Sequence, residues 1–175
     1  AAGTSPLKAI EKLPSVNFQS ADPFGNYEWS TRVTIRGFNQ NQLGFTLDGI
    51  PLGDMTYGNN NGLHVSRAIS PENIGLTRVS QGAGSIGTQS TNNLGGTLEF
   101  QSLDPKDVLG LSANFTYGTE NTMRGFARLG LGTADGPRAY ISTQYHTTDK
   151  WKGDGQQKTL MVNAKAILPL GDASV

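Results

Sequence analysis

The sequence predicts a small α+β domain over residues 1–104, followed over residues 105–175 by antiparallel strands of a transmembrane β-barrel. Three observations carry this. One capped helix and four short strand candidates fill the first part. From Asp107 onward the chain alternates apolar and polar side chains over runs of about nine to eleven residues, the length a tilted membrane strand needs. The apolar content of 35% is low for a globular core and suits strands with one wet face.

In order along the chain, Ser5 is the expected N-cap of a helix with Pro6 at its first position. Leu7, Ile10 and Leu13 share one face, and Pro14 is the expected stop. The stretch NFQSADPFGNYEWS reads as turns. RVTIR alternates, with Val33 and Ile35 on one side. GFNQNQL reads as a polar loop and GFTLD as a strand closed by a turn at Asp48-Gly49-Ile50-Pro51. NIGLTRVS and GGTLEF complete the four strands.

The second part is more regular. In LGLSANFTYG the side chains Leu109, Leu111, Ala113, Phe115 and Tyr117 oppose Ser112, Asn114 and Thr116. TMRGFARLGLG sets Met123, Ala127, Leu129 and Leu131 against Arg124 and Arg128, with Phe126 breaking the pattern. RAYISTQYHTT opposes Ala139, Ile141 and Tyr145 to Ser142, Gln144 and His146. KTLMVNAKAIL opposes Leu160, Val162, Ala164, Ala166 and Leu168 to Asn163 and Lys165. Short turns join these runs as hairpins. A soluble sandwich sheet also has one wet face. Strand length, the arginines on the polar face, and Tyr117, Tyr145 and Trp151 near strand ends favour the membrane barrel.

Composition narrows the function. Net charge is zero, which disfavours nucleic acid as a partner. With no cysteine, disulfides and thiolate metal sites are excluded. No apolar run approaches the roughly 20 residues of a membrane helix. AAGTSPLKAIEKLP has no charged stretch before an apolar core, so any signal peptide is expected to be absent or already removed. His64 and His146 have no carboxylates at metal-ligand spacing, and Asp149 and Asp154 match no calcium loop. No metal or cofactor is expected. No nucleophile elbow occurs, and Glu11 and Glu99 have no evident partner, so catalysis is not expected.

Gly82, Gly84 and Gly87 spell a literal G-x-G-x-x-G. A dinucleotide site needs a helix to begin directly after that turn, because its N–H groups hold the pyrophosphate. Here TQSTNNLGGTLEF follows, with no helical period. The glycines read instead as a backbone-dominated connection between strands.

VTIRGFNQNQLGFTLDGIPLGD followed by ISPENIGLTRVSQGAGSIGTQSTNNLGGTLEF resembles the plug domain of TonB-dependent outer-membrane receptors. Arg36-Gly37-Phe38, Asp48-Gly49-Ile50-Pro51, Pro71-Glu72, Gly82 to Gly87 and Gly95-Gly96 occur in the family's order over about residues 5 to 103. The chain departs from the pattern at Gln81-Gly82-Ala83, where the family has Arg-Gly-Pro, and at Ile86-Gly87, where it has Tyr-Gly. The resemblance implies an N-terminally incomplete plug followed by the first four strands of a twenty-two-stranded barrel.

It also implies energy-coupled import of a scarce solute, a siderophore, a saccharide or similar. Implied partners are an inner-membrane TonB protein, outer-membrane lipid, the small-molecule or oligosaccharide ligand, and a surface lipoprotein or further chain completing the barrel. The ligand face is expected from Phe38, Asn39 and Gln40 in one loop, and Asp54, Met55, Tyr57 and Asn59 in the next. With Gln81 in place of the family arginine, Arg36 and Arg78 are expected to anchor plug to barrel. The rival reading is a structural or adhesive β-rich surface or fibre protein without transport.

Overall fold

The computed structural model describes residues 3–55, 62–82, 90, 92–150, 152–170 and 173–174. The chain divides into two units, Ala1–Leu103 and Asp104–Val175.

In the first unit, Ser5 caps helix α1 (Pro6–Ala9), its Oγ accepting from the Leu7 N–H at 3.2 Å. The helix is shorter than the apolar spacing predicts. After Ala9 the backbone closes three-residue turns, with the Glu11 N–H on the Lys8 carbonyl and the Leu13 N–H on that of Ile10. Leu7 and Ile10 are buried while Leu13 is exposed, so the third apolar position has nothing to pack against.

The stretch read as turns contains a strand, β1 (Val16–Gln19), antiparallel to β2 (Arg32–Ile35). Between them the Asp22 carboxylate accepts from the N–H groups of Phe24, Asn26 and Tyr27 at 3.0–3.1 Å and from Ser20 Oγ at 2.7 Å. One aspartate therefore orders a loop that has no ladder of its own.

A mixed sheet holds β3 (Gly44–Leu47), β4 (Ile50–Pro51), β5 (Ile74–Gln81) and β6 (Gly96–Ser102) in the order β4-β3-β6-β5. β3 runs parallel to β6, and β5 antiparallel to it. A four-residue helix, α2 (Val65–Ala68), is a further element that the sequence reading did not assign. Leu98 and Phe100 on β6 pair with Phe45 and Leu47. With Leu7, Val33, Ile35, Leu43 and Val65 they make a closed apolar core. Each such side chain contributes roughly 1.5–3 kcal/mol by burial.

The second unit is built on one antiparallel sheet in the order β10-β9-β8-β7: β7 (Gly110–Gly118), β8 (Thr122–Gly132), β9 (Arg138–Asp149) and β10 (Gln156–Ile167). The first connection places Glu120 and Asn121 at φ 53° and 49°. Asn121 Nδ2 ties it to the Asp149 carboxylate at 2.6 Å. A two-residue pair, β11 (Pro169–Leu170) and β12 (Ala173–Ser174), follows.

This sheet is inverted with respect to a water-soluble one. Its apolar face is the exposed one: Leu111 is 75% exposed, Phe115 67% and Val162 62%. Its polar face is buried at the middle strands, with Arg124 at 1% and Ser142 at 2%, half-buried at Asn114, Arg128 and Asn163, and exposed at Ser112. Cross-strand rows keep the faces separate, Leu111–Leu129–Ile141–Ala164 on one and Ser112–Arg128–Ser142–Asn163 on the other. Tyr117 and Tyr145 lie on the exposed face toward the end that carries the 119–121 turn; Trp151 lies outside the described residues. Among the described residues no helix is long and apolar enough to cross a membrane.

Candidate functional site

The motif residues of the first unit are turn chemistry. Ile35 and Phe38 face each other across Arg36 and Gly37, with reciprocal N–H···O bonds of 2.9 and 3.1 Å. Both turn residues have positive φ, 52° and 84°, which is a type I′ turn. Asp48 and Gly49 repeat the geometry at φ 49° and 79°, joining β3 to β4. The Asp48 carboxylate also accepts from the Ser102 N–H at 2.8 Å and Ser102 Oγ at 2.6 Å, fastening the end of β6.

The glycine-rich stretch connects two antiparallel strands. Gln81 pairs with Gly96, and the Gly82 N–H reaches the Gly95 carbonyl at 3.3 Å. Gly84 and Gly87 lie outside the described residues. Gly95 is needed for close approach, since a Cβ there would sit 2.7 Å from Leu43 Cδ2 and from Phe38 Cγ.

Phe38 is half-buried against the core, and Asn39 is exposed, its N–H donating to Gln42 Oε1 at 3.0 Å. Asp54 is half-buried. Gln40 and Met55 differ from the expectation of an open ligand face: both are buried, with their polar atoms engaged. Gln40 Oε1 accepts from the Val33 N–H at 3.2 Å, and its Nε2 donates to the Met55 carbonyl at 2.9 Å. Met55 Sδ accepts from the Val65 N–H at 3.3 Å. The polar loop thus turns one amide inward, where two bonds offset its desolvation. Tyr57 and Asn59 lie outside the described residues.

Arg36 is exposed, and its N–H holds the Ser15 carbonyl at 2.9 Å. Arg78 faces Glu99 across β5 and β6, with Nη1 3.6 Å from Oε2. Glu99 therefore has a partner, which strand register supplies and sequence spacing could not show. Gln81 Nε2 donates to the Pro14 carbonyl at 3.0 Å.

His64 caps α2: its Nδ1 accepts from the Ser66 N–H at 3.2 Å and lies 2.7 Å from Ser66 Oγ. The proton of the neutral ring is then on Nε2, which has no hydrogen-bond partner among the described residues. Burial, aided by the nearby Arg67 charge, lowers the His64 pKa from 6.5 to about 4.

On the polar face of the second unit, Arg124 donates to Gln144 Oε1 at 2.7 Å and Asn114 Oδ1 at 3.3 Å. Arg128 lies over the rings of Phe126 and Tyr140, 5.9 and 5.7 Å from their centroids. Phe126, the break in the alternation, is thus a cation–π partner on the polar face. Its signal was its position two residues before an arginine. Among the described residues no group of three or more His, Cys, Asp or Glu converges on a metal-sized site.

Residues 1–97 match the TonB-dependent receptor plug domain family. The pyoverdine outer-membrane receptor FpvA of Pseudomonas aeruginosa PAO1, solved bound to pyoverdine, superposes with a TM-score of 0.73 at 16% identity, over 96% of this chain and 23% of its own. The FrpB iron transporter of Neisseria meningitidis gives a TM-score of 0.73 at 18% identity, over 98% of this chain and 28% of its own. The ferric-catecholate import receptor Fiu of Escherichia coli K12 gives 0.68 at 17%, over 96% and 22%. The chain spans about a quarter of the length of these receptors, and at such identities the likeness is one of fold. No match is found among curated proteins. A plug-family match over more than half the chain, followed by an inverted strand sheet, means that the chain belongs to the TonB-dependent receptor plug family, proteins of the Gram-negative outer membrane.

Proposed function

We propose that the chain is the plug-bearing part of a receptor that imports a scarce solute across the outer membrane, the plug gating the barrel and an inner-membrane TonB protein supplying the energy. The observation that carries this reading is the inverted sheet that follows a plug-family domain along the chain: a water-soluble adhesin or fibre subunit has no reason to expose Leu111, Phe115 and Val162 while burying Arg124. An iron–siderophore complex is the favoured ligand, because two of the solved neighbours are described as a pyoverdine receptor and a ferric-catecholate import receptor. A saccharide is the second candidate.

The ligand face is assigned to Phe38, Asn39 and Asp54, together with Tyr57 and Asn59. Gln40 and Met55 support it from the core. Arg36 remains the proposed anchor to the barrel; Arg78 is assigned to its pair with Glu99. The test is uptake by cells whose only such receptor is the intact protein, offered ferric hydroxamate, ferric catecholate and oligosaccharide probes. Uptake that disappears without TonB supports the proposal. Asp54→Ala and Tyr57→Ala should weaken uptake at unchanged receptor level. No TonB-dependent uptake of any probe contradicts the import reading, and wild-type uptake in both variants removes the ligand-face assignment.

A further inference from the structure

The segment after β4 is held at its base by more than a connector needs. The Leu63 N–H bonds the Leu52 carbonyl at 2.8 Å, and Gly53 bridges Gly62. A Cβ at Gly62 would fall 2.7 Å from the Asp54 nitrogen, so the two chain segments touch through bare backbone. Met55 Sδ takes the first N–H of α2. Into this base reaches Gln40, 6% exposed. One end of its amide holds the Val33 N–H in β2, and the other holds the carbonyl of the residue directly after Asp54.

Leucine or methionine would fill the Gln40 position without the cost of desolvating an amide. Neither could join Val33 to Met55. The chemistry of the amide, donor at one end and acceptor at the other, is what the position uses. Both of its bonds are made to backbone groups of other segments, so they fix position more than they add local stability.

We propose that Gln40 is a positioning residue: it fixes Asp54 at the plug surface by tying the Met55 carbonyl to β2. That Asp54 serves a ligand rests on the ligand-face reading above. The tie itself does not, and its test needs no ligand. Because this chain has no cysteine, a nitroxide placed at Asp54→Cys in the full receptor, any cysteine elsewhere replaced, reports that backbone alone. A second label at Gln101→Cys, exposed on β6, reports the sheet.

Gln40→Met removes both bonds at nearly constant volume. Gln40→Glu, measured at pH 8, keeps the acceptor for Val33 and loses the donor to Met55, so it separates the tie from the packing. The expected result in both variants is motion about twofold or more faster at position 54 with position 101 unchanged, as for a locally released segment. Unchanged motion at 54 overturns the proposal, as does equal loosening at 54 and 101, which marks Gln40 as a general core residue. If Asp54→Ala leaves uptake intact while the label responds as expected, the ligand-face reading fails and the tie stands.

Discussion

His64 makes the first unit sensitive to acid. Its ring is 2% exposed and caps α2 as a neutral acceptor. Protonation would remove that acceptor and place a second charge near Arg67 at a buried position. The folded pKa of about 4 lies below the 6.5 of an unfolded chain. Below pH 6.5 the unfolded state therefore binds the proton more readily, so stability is full above that pH and falls as pH drops toward 4. At roughly 1.4 kcal/mol per pH unit, the total is about 3 kcal/mol, of which about 2 kcal/mol is lost by pH 5. Other groups titrate in this range, so the measurement is a difference. His64→Asn keeps a capping oxygen and does not titrate. Urea unfolding of the first unit within the intact receptor, followed at pH 7 and pH 5, should show the wild type losing about 2 kcal/mol more than the variant. Equal losses would refute the reasoning, because the ring would then not be held neutral by its surroundings.

Three further substitutions follow from close packing, turn chemistry and the membrane face. Gly95→Ala drives a methyl group into Phe38 and Leu43 and should cost about 1–3 kcal/mol, read as a lower urea midpoint; an unchanged midpoint contradicts the fit. Asp48→Ala loses both bonds to Ser102 and puts alanine at positive φ; a loss of about 2–4 kcal/mol is expected, with faster hydrogen exchange at Ser102. Leu111→Arg places a charge on the exposed face of β7 and should destabilise the barrel in membranes by about 2–4 kcal/mol, seen as less folded, heat-modifiable receptor on gels. Normal folded yield would count against lipid contact there.

How much of this was legible in sequence depended on what sets each element. The four long strands were readable because one lipid-facing and one polar face impose alternation along most of each strand, and the observed faces of β8 and β9 are those the pattern assigned. The Asp48-Gly49 turn was readable because its chemistry is local. β1 was not: its four residues are held in place by pairing with β2 across a loop that Asp22 organises. α2 escaped because it is one turn long and capped by histidine. Gln40 was expected on the ligand face with Phe38 and Asn39, since nothing local marks an amide whose partners are Val33 and Met55. Phe126 looked like an error of alternation until Arg128 was placed over its ring.

The central claim is that the second unit turns its apolar face to lipid. It is tested most directly by placing single fluorescent labels along β9 of the intact receptor in bilayers containing brominated lipid. The structure requires strong quenching at Ile141, Thr143 and Tyr145 and little at Ser142, Gln144 and His146, which are buried. Quenching that is uniform along the strand, or that peaks at the second set, contradicts it.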